Sequence, residues 1–353
     1  MRRLLVAVCL LVISGGCTGP TRPAPPSPST VSAQPLRPRA GHTATLLADG
    51  RVLIAGGCAV DGCTTSEVEP SSEFFVPGRG FVPGPRMRHP RSSHSATLLA
   101  DGRVLIVGGW AREGTEALAE AEMFDPVTGT FQPAGTMQGD TILLPDGRVL
   151  LAGEAEVKIF DPASGALTAG PAMPRPRHAA SILLPDGTIL ITGGQDGRQR
   201  GLTSTVIYDP RNGQRRAGPQ MATPRFKHAI ALLDAGRVIV LGGTTDDSEL
   251  LASTEILDLA ANVFTPGPAM SVPRYKFRDV IVRTTAGRLV VAGGTRVDML
   301  AADGRSFEAI TEVAARRWVP TATALPDGTV LVVGGYDERI RVHVDAVITP
   351  VLR

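Results

Sequence analysis

Three features of the sequence predict an all-β fold built from seven repeated units. A short apolar run ending in Gly-Gly recurs along the chain of 353 residues, with its first glycine at positions 56, 108, 153, 193, 242, 293 and 334. Most of these runs follow another apolar strand and an Asp-Gly pair, which is typical of a tight hairpin. The units lie 40 to 52 residues apart, as in repeat arrays of four-stranded sheets. Since one sheet cannot bury both of its faces alone, the units are expected to stack into a closed ring, a seven-bladed β-propeller.

The second unit illustrates how four strands arise from one repeat. We expect His94–Leu99 to form the inner strand, and Asp101-Gly102 to supply the backbone angles of the following turn. The apolar run Arg103–Val107 predicts a second strand that is buried on both faces. Glu122–Phe124 begins the third strand, and Thr130–Gln132 forms the outer one.

The two ends of the chain predict how the ring closes. The last unit supplies only three strands, at Val319–Ala324, Thr329–Val333 and Arg341–Ile348. Ser29–Leu36 resembles the outer strands of other units but has no unit of its own. We therefore expect this N-terminal strand to complete the seventh blade, which removes an open sheet edge.

The N-terminus predicts export from the cell. Arg2 and Arg3 precede an apolar run, Leu4–Ile13, that is too short to span a bilayer. Ser14-Gly15-Gly16-Cys17 resembles a bacterial lipobox, which implies lipidation of Cys17; the alternative is an ordinary cleaved signal. Residues 1–17 are thus interpreted as a signal peptide, 18–28 as a Pro-rich tether and 29–353 as the propeller. The expected location is the bacterial cell envelope, lipid-anchored at the outer membrane or cell surface, or the secreted fraction.

Two further cysteines fit an oxidising compartment. Cys58 and Cys63 lie in one loop, and we expect them to form a local disulfide. A metal site built on these two residues is disfavoured, because no histidine or further cysteine is close in sequence.

The charge balance gives no indication of a nucleic acid or an anionic membrane as partner. The chain has 36 Lys and Arg residues against 34 Asp and Glu residues, a net charge of +2. This is too small to favour nucleic acid or an anionic membrane, so membrane contact is expected only through the lipid anchor. We expect a monomer.

The repeated phrase resembles the Kelch motif. It comprises His or Arg, a strand, Asp-Gly-Arg-Val-Leu, Gly-Gly, then Glu-x-(Phe/Tyr)-Asp-Pro and a glycine, and it extends over residues 39–350. Similar repeats occur in the central domain of galactose oxidase and in many bacterial exported proteins. The resemblance implies four-stranded Kelch blades around a central channel. The third unit departs from the motif, with Glu154 in place of the second glycine.

Strand direction predicts one loop-rich face. The loop after each Gly-Gly and the segment leading into each inner strand should lie together, with the loop 58–71 as a specificity element. In six of the seven units an arginine lies three residues before the point where the inner strand begins, at Arg39, Arg91, Arg175, Arg225, Arg274 and Arg316, whereas the third unit has Gly135 there. One interpretation is a pocket for an anion or carboxylate, because arginine recognises such groups bidentately. The alternative is that each arginine pairs with a nearby carboxylate or with the blade backbone.

Four histidines occupy matching positions at the start of inner strands: His42, His94, His178 and His228. Such a ring raises the possibility of a metal site, but a repeated packing role explains equivalent positions better. Asp246, Asp247 and Glu249 match no calcium-binding loop and are interpreted as solvated charge. No metal or cofactor is expected.

Two enzymatic functions are alternatives to a binding role. The stretch Arg317–Thr323 resembles copper-radical oxidases, but none of the tyrosines Tyr208, Tyr275 and Tyr336 precedes a histidine, and no catalytic position carries over. An acidic-sugar epimerase would need Glu122 or Glu255 to face the channel, and their place on third strands argues against this.

The sequence therefore predicts a non-catalytic binding module that acts through the loop face at the channel mouth. The expected ligand is a protein, a peptide or a cell-surface glycan.

Overall fold

The computed structural model describes residues 30–60, 68–112, 116–153, 156–173, 176–276 and 279–351. Within these ranges, seven four-stranded antiparallel sheets and one two-stranded hairpin make up the regular structure. A search of the same residues finds no helix long and apolar enough to cross a membrane. The predicted all-β, seven-bladed β-propeller of four-stranded blades is confirmed.

The strands follow the order of the repeats. Those of the N-terminal segment and blades 1 to 3 are β1 (Val31–Ala33), β2 (Thr43–Leu46), β3 (Val52–Ala55), β4 (Ser72–Val76), β5 (Gly80–Pro83), β6 (Ser95–Leu98), β7 (Val104–Val107), β8 (Trp110–Arg112), β9 (Glu116–Ala117), β10 (Glu120–Asp125), β11 (Thr130–Thr136), β12 (Asp140–Leu143), β13 (Val149–Ala152), β14 (Val157–Phe160) and β15 (Leu167–Ala169). Those of blades 4 to 7 are β16 (Ala180–Leu183), β17 (Ile189–Thr192), β18 (Thr205–Tyr208), β19 (Arg215–Ala217), β20 (Ala229–Leu232), β21 (Arg237–Leu241), β22 (Thr254–Asp258), β23 (Val263–Gly267), β24 (Ile281–Arg283), β25 (Leu289–Val291), β26 (Gly294–Leu300), β27 (Phe307–Arg317), β28 (Thr321–Ala324), β29 (Thr329–Val333) and β30 (Ala346–Pro350).

The hydrophobic core lies between the blades. The second strand of a blade is buried along its length, as in β3 and β7, because both of its faces meet a neighbouring sheet. Phe74 of blade 1 lies 5.9 Å from Phe124 of blade 2, between ring centroids, inside one such interface. Burial on both faces therefore explains why the second strands are apolar at every position.

The two kinds of recurring glycine serve different purposes. Gly50, in an Asp-Gly turn, has φ of +83°, and a β-carbon there would meet no atom within 4 Å. This glycine is needed for its backbone angle alone. Gly56, first of a Gly-Gly pair, has φ of +66°, and a β-carbon there would lie 2.4 Å from the Arg91 carbonyl oxygen of the next blade. Gly-Gly pairs therefore also permit adjacent blades to approach closely.

The N-terminal strand closes the ring as the sequence predicts. β1 pairs antiparallel with β30, with Val31 opposite Ile348 and Ala33 opposite Ala346. The sheet order of blade 7 is β28, β29, β30, β1. The two ends of the chain thus share one sheet.

The third strand of blade 7 begins later than the predicted Arg341. It extends over Ala346–Pro350, because the residues before it belong to a loop that Asp337 organises. The Asp337 carboxylate accepts hydrogen bonds from the backbone N–H groups of Arg339 and Arg341, at 2.8 and 3.0 Å. These bonds hold the segment in a turn rather than in the sheet.

Candidate ligand-binding face

Both sets of loops lie on one face of the propeller. The residue after a Gly-Gly pair forms a β-bridge with the segment leading into the inner strand of the same blade: Cys58 with Ala40, Trp110 with Ser92, Gln195 with Arg177, Thr244 with Phe226, and Tyr336 with Trp318. We call this side the loop face. Its location agrees with the strand directions deduced from the sequence.

A ring of left-handed residues marks the mouth of the channel on this face. Six blades place one residue with φ between +51° and +62° just before the inner strand, namely Gly41, Ser93, His178, Lys227, Lys276 and Val319. The Ser93 N–H donates to the Gly41 carbonyl at 2.7 Å, and the Lys276 N–H donates to the Lys227 carbonyl at 3.0 Å. These hydrogen bonds join successive blades around the axis. We call these six residues the mouth ring.

Four of the predicted arginines are buried within their blades. Arg39, Arg91, Arg225 and Arg274 are 0 to 2% exposed. The Arg91 guanidinium donates to the Gly108 carbonyl at 2.8 Å and to the Glu122 carboxylate at 2.9 Å. The other three arginines form the same contacts with the pairs Gly56 and Glu73, Gly242 and Glu255, and Gly293 and Asp298.

Each of these carboxylates also holds the chain that leads into its blade. Glu122 accepts hydrogen bonds from the backbone N–H groups of Arg88 and His89, at 2.8 and 3.1 Å. The Arg91 carbonyl accepts the N–H of Gly57 from the preceding blade at 2.8 Å. One arginine therefore joins two blades, through its backbone on one side and its guanidinium on the other. We call each arginine–carboxylate pair of this kind a staple.

Blade 7 uses Arg317 and not the predicted Arg316. The Arg317 guanidinium donates to the Gly334 carbonyl at 2.9 Å and to Asp345 at 2.5 Å. Arg316 is partly exposed and pairs with Glu338 at 3.2 Å, so the prediction was one residue out. The staple arginines of blades 1, 2, 5 and 7 lie 17 residues before the glycine they bind. That spacing, counted from Gly-Gly, is the sequence signal that would have identified Arg317.

Blades 3 and 4 have no staple within the described residues. The predicted Arg175 lies outside those residues. Counting 17 residues back from Gly193 gives Pro176 in blade 4. In blade 3, only two residues separate the buried Met137 from β12, whereas seven separate Met87 from β6, so the segment that carries the arginine is missing.

The staples have the electrostatics of a buried structural pair. Burial lowers the pKa of the Arg91, Arg225 and Arg274 guanidinium groups, and the neighbouring carboxylate opposes this shift. The contacts of these arginines agree with the alternative in which each arginine pairs with a nearby carboxylate and with the blade backbone. Ligand contact by these arginines stays a prediction.

Three of the four histidines connect blades. The Nε2 atoms of His42, His94 and His228 lie 2.8 to 2.9 Å from the hydroxyl oxygens of Thr321, Thr43 and Thr192 in the preceding blades. Burial, with a smaller contribution from Arg39, lowers the pKa of His42 to about 3. His42 is therefore a neutral packing element near physiological pH.

His178 differs from the other three histidines. It is exposed, belongs to the mouth ring, and stacks on Phe226 with centroids 6.3 Å apart. Only six residues separate Met173 from β16, one fewer than separate Met221 from β20, so the histidine is displaced by one position. Partial burial of its ring, which stacks on Phe226, followed by the charge of Lys227, lowers the pKa of His178 to about 4.

An aromatic cluster at the mouth ring was missed by sequence reasoning. The Trp318 ring lies between Tyr275 and Tyr336, with centroid separations of 5.8 and 5.7 Å and edge-to-face geometry. All three side chains are half-buried on the loop face. The Lys276 ammonium lies 5.5 Å from the centre of the Tyr275 ring. The residues lie far apart in sequence, so only the ring of blades brings them together.

Three loops of this face are held by an aspartate at their start. The carboxylates of Asp196, Asp246 and Asp337 accept hydrogen bonds from backbone N–H groups two to four residues ahead. Hydrogen bonds from side chains and backbone lower the pKa of Asp246 and Asp337 to about 2. Asp246 is therefore a loop-fixing residue rather than free solvated charge.

Most of the cysteines predicted to form covalent bonds lie outside the described residues. Cys58 is buried and disulfide-bonded. Its predicted partner Cys63, and the predicted lipidation site Cys17, lie outside the described residues.

The described residues do not fit a copper centre. They contain no group of three or more His, Cys, Asp or Glu side chains that could hold a metal. The inner histidines His42, His94 and His228 direct Nε2 to threonines, and the Tyr208 hydroxyl donates to the Pro171 carbonyl at 2.7 Å. These donors are already engaged in packing.

Comparison with known proteins agrees with the fold. The Kelch motif matches residues 90–138 and 176–222. A search of curated proteins finds no significant match. One solved structure of similar fold is described as a novel fungal alcohol oxidase with catalytic diversity among the AA5 family, in complex with copper. Its TM-score is 0.71 at 17% sequence identity, and the alignment covers 92% of this chain and 76% of that one.

The architecture and its blade interfaces define a seven-bladed β-propeller. Two of its blades match the Kelch motif, so the protein is a β-propeller that carries Kelch repeats. The similarity to the fungal oxidase concerns the fold alone, since function depends on the site and not on the scaffold.

Proposed function

We propose that this protein is a non-catalytic binding module of the cell envelope that captures its ligand through the loop face. Kelch propellers generally mediate binding, and this fold is compatible with that role. The proposed ligand is a protein, a peptide or a surface glycan.

The observation that carries the proposal is the rigid presentation of the loops. Staples fix the segments that lead into five blades, and Asp196, Asp246 and Asp337 fix three of the loops. A surface that is ordered before binding loses little conformational entropy when a ligand arrives. This is what a recognition surface requires.

The carboxylates considered for catalysis are engaged elsewhere. Glu122 and Glu255 are 0% and 4% exposed, and each is paired with an arginine and with two backbone N–H groups. A general base must reach its substrate proton. This supports a binding role over an epimerase.

The location at the envelope is part of the proposal and is tested through Cys17. The Cys17→Ala variant should lose labelling by a palmitate analogue and leave the membrane fraction. The Cys63→Ala variant serves as the matched control and should keep both properties. Unchanged labelling of Cys17→Ala would contradict the anchor.

The binding face is tested on printed glycan and peptide arrays. The arginines predicted to bind are unsuitable probes, because replacing them would disturb blade packing. A loop-face variant, Arg198→Ala/Arg200→Ala/Glu249→Ala, should lose array signal while its melting temperature changes little. A control variant on the opposite, Asp-Gly turn face, Arg51→Ala/Arg148→Ala, should retain it. If only the control variant lost array signal, the ligand would bind the opposite face and the proposed loop face would be wrong.

A further inference from the structure

The mouth ring keeps large side chains where its backbone favours glycine. The left-handed conformation disfavours any residue with a β-carbon, and blade 1 uses Gly41 there. Blades 4, 5 and 6 nevertheless carry His178, Lys227 and Lys276, with φ of +59°, +51° and +52°. Residues held in such strained conformations cluster at functional sites, and the surrounding structure compensates for the strain.

The part of the mouth ring in blades 4 to 6, which we call the half-ring, holds most of the lysines of a chain that has few. Lysine occurs only at positions 158, 227 and 276, and two of the three are in the mouth ring. Lys227 pairs with Asp247 at 2.5 Å. Lys276 has no ion pair with any residue that the structure describes, and its ammonium faces the Tyr275 ring instead. An ammonium placed in this way can accept an anionic group without breaking an existing pair.

The aromatic cluster adjoins this half-ring. Tyr275 and Trp318 immediately precede the mouth-ring residues Lys276 and Val319 in sequence. The three rings of the cluster remain half-exposed although they contact each other. They offer an apolar surface with phenol and indole donors at its margin.

We propose that the channel mouth of blades 4 to 7 binds a sugar ring that carries a carboxylate, with the carboxylate at Lys276 and the ring against Trp318 and Tyr275. This inference rests on the proposed function and names its ligand. A pyranose has an apolar C–H face and a rim of hydroxyls, which matches half-exposed aromatic rings beside Lys227, Asp247 and His178.

The backbone of the mouth disfavours an acidic peptide as the occupant. An extended peptide is recognised mainly through main-chain hydrogen bonds. At the mouth, the N–H groups of Ser93, Lys227 and Lys276 already donate to carbonyls of neighbouring blades. The side chains therefore remain as the groups that can contact a ligand, and their chemistry suits a sugar.

Calorimetric titration with trigalacturonate tests the proposal, with galactotriose as the neutral counterpart. We expect trigalacturonate to bind and galactotriose to bind at least about tenfold more weakly, because it lacks the charged hydrogen-bond acceptor. The Lys276→Gly variant removes the ammonium and relieves the left-handed strain. It should weaken trigalacturonate binding about tenfold or more while keeping or raising the melting temperature.

Ser93→Gly is the matched control, because it relieves the same strain on the opposite side of the mouth ring. It should leave trigalacturonate binding unchanged. Equal affinity for the neutral sugar, or unchanged binding by Lys276→Gly, would overturn the proposal. Lys276-dependent binding of hexaglutamate in place of trigalacturonate would overturn the sugar class and retain the loop face. If none of the three probes binds, this inference is wrong, and the arrays decide the proposed function separately.

Discussion

Blades 4 and 5 are neighbours with the same strand order, but among the described residues only blade 5 has a staple. In blade 5, Arg225 pairs with Glu255 at 2.9 Å inside the interface. In blade 4, Pro176 occupies the arginine position. Val206 occupies the carboxylate position, since it lies opposite Ile191 as Glu255 lies opposite Val240. Blade 4 therefore has an uncharged residue at both of these positions.

The absence of both charges agrees with the energetics of buried charge. Removing one partner of a buried ion pair leaves an uncompensated charge and costs several kcal/mol, whereas replacing both with apolar groups is often neutral. Blade 3 likewise lacks both partners: it has no arginine there, and the carboxylate position opposite Leu151 holds the half-buried Lys158, which pairs with Glu156 at 3.7 Å. The ring therefore depends on apolar packing in every blade, and staples are replaceable as pairs but not singly.

The comparison is tested most strongly by breaking one staple. Glu255→Ala leaves the Arg225 guanidinium buried without its carboxylate and removes the acceptor of the Ala222 and Thr223 N–H groups. We expect the free energy of unfolding to fall by about 3–5 kcal/mol. Denaturant unfolding measures this, with Val206→Ala at the equivalent position of blade 4 as the control. A loss below about 1 kcal/mol would refute the staple as a structural pair.

Replacing both partners should make blade 5 resemble blade 4. Arg225→Met/Glu255→Val removes both charges, so we expect it to recover at least about half of the loss seen in Glu255→Ala. The double variant being less stable than either single variant would show that the two residues do not act as a pair.

Blade 7 extends the comparison, since its outer strand comes from the other end of the chain. Deleting residues 30–37 removes β1 and the Leu36 N–H that donates to Glu73 at 2.7 Å. We expect a loss of about 2 kcal/mol, seen as a fall of about 3 °C in the melting temperature of a propeller of this size. An unchanged melting temperature would mean that β1 does not secure the ring.

A histidine of blade 1, which has a staple, and a histidine of blade 4 are expected to affect the pH dependence of stability differently. The folded pKa of His42 is about 3 and that of His178 about 4, both below the 6.5 of an unfolded histidine. The unfolded state therefore binds protons first, so the contribution of each histidine to stability is fully present above pH 6.5 and is lost as the pH falls towards 4 for His178 and towards 3 for His42. Denaturant unfolding across this range should show a smaller loss in His42→Gln than in His178→Gln, because only His42 is buried. Equal slopes in both variants and the wild type would contradict this.

The smallest effect is expected at the surface arginines of the hairpin turns. Arg148 pairs with Asp146 at 2.7 Å, but both side chains are about half exposed. Arg148→Ala should change the free energy of unfolding by no more than about 0.5 kcal/mol, because solvent screens exposed pairs. A change as large as that of Glu255→Ala would remove the distinction between buried and exposed pairs.

The sequence located the staples only in part. Arginine, histidine and Gly-Gly recur visibly, so the positions in blades 1, 2, 5 and 6 were predicted. The shift from Arg316 to Arg317 was missed, because the prediction counted from the inner strand instead of from Gly334. His178 was misplaced for a related reason, since the segment after Met173 is one residue shorter than its counterpart in blade 5.

The sequence by itself determined the number of blades, the order of their strands and the closure by the N-terminal strand. These properties follow from local signals, namely apolar runs, Asp-Gly turns and Gly-Gly pairs, whose conformational preferences act over a few residues. Only the tertiary structure decided which arginines are buried with which carboxylates, and that Tyr275, Trp318 and Tyr336 meet beside the mouth ring. Those contacts join residues separated by tens of positions, and they depend on how closely neighbouring blades approach.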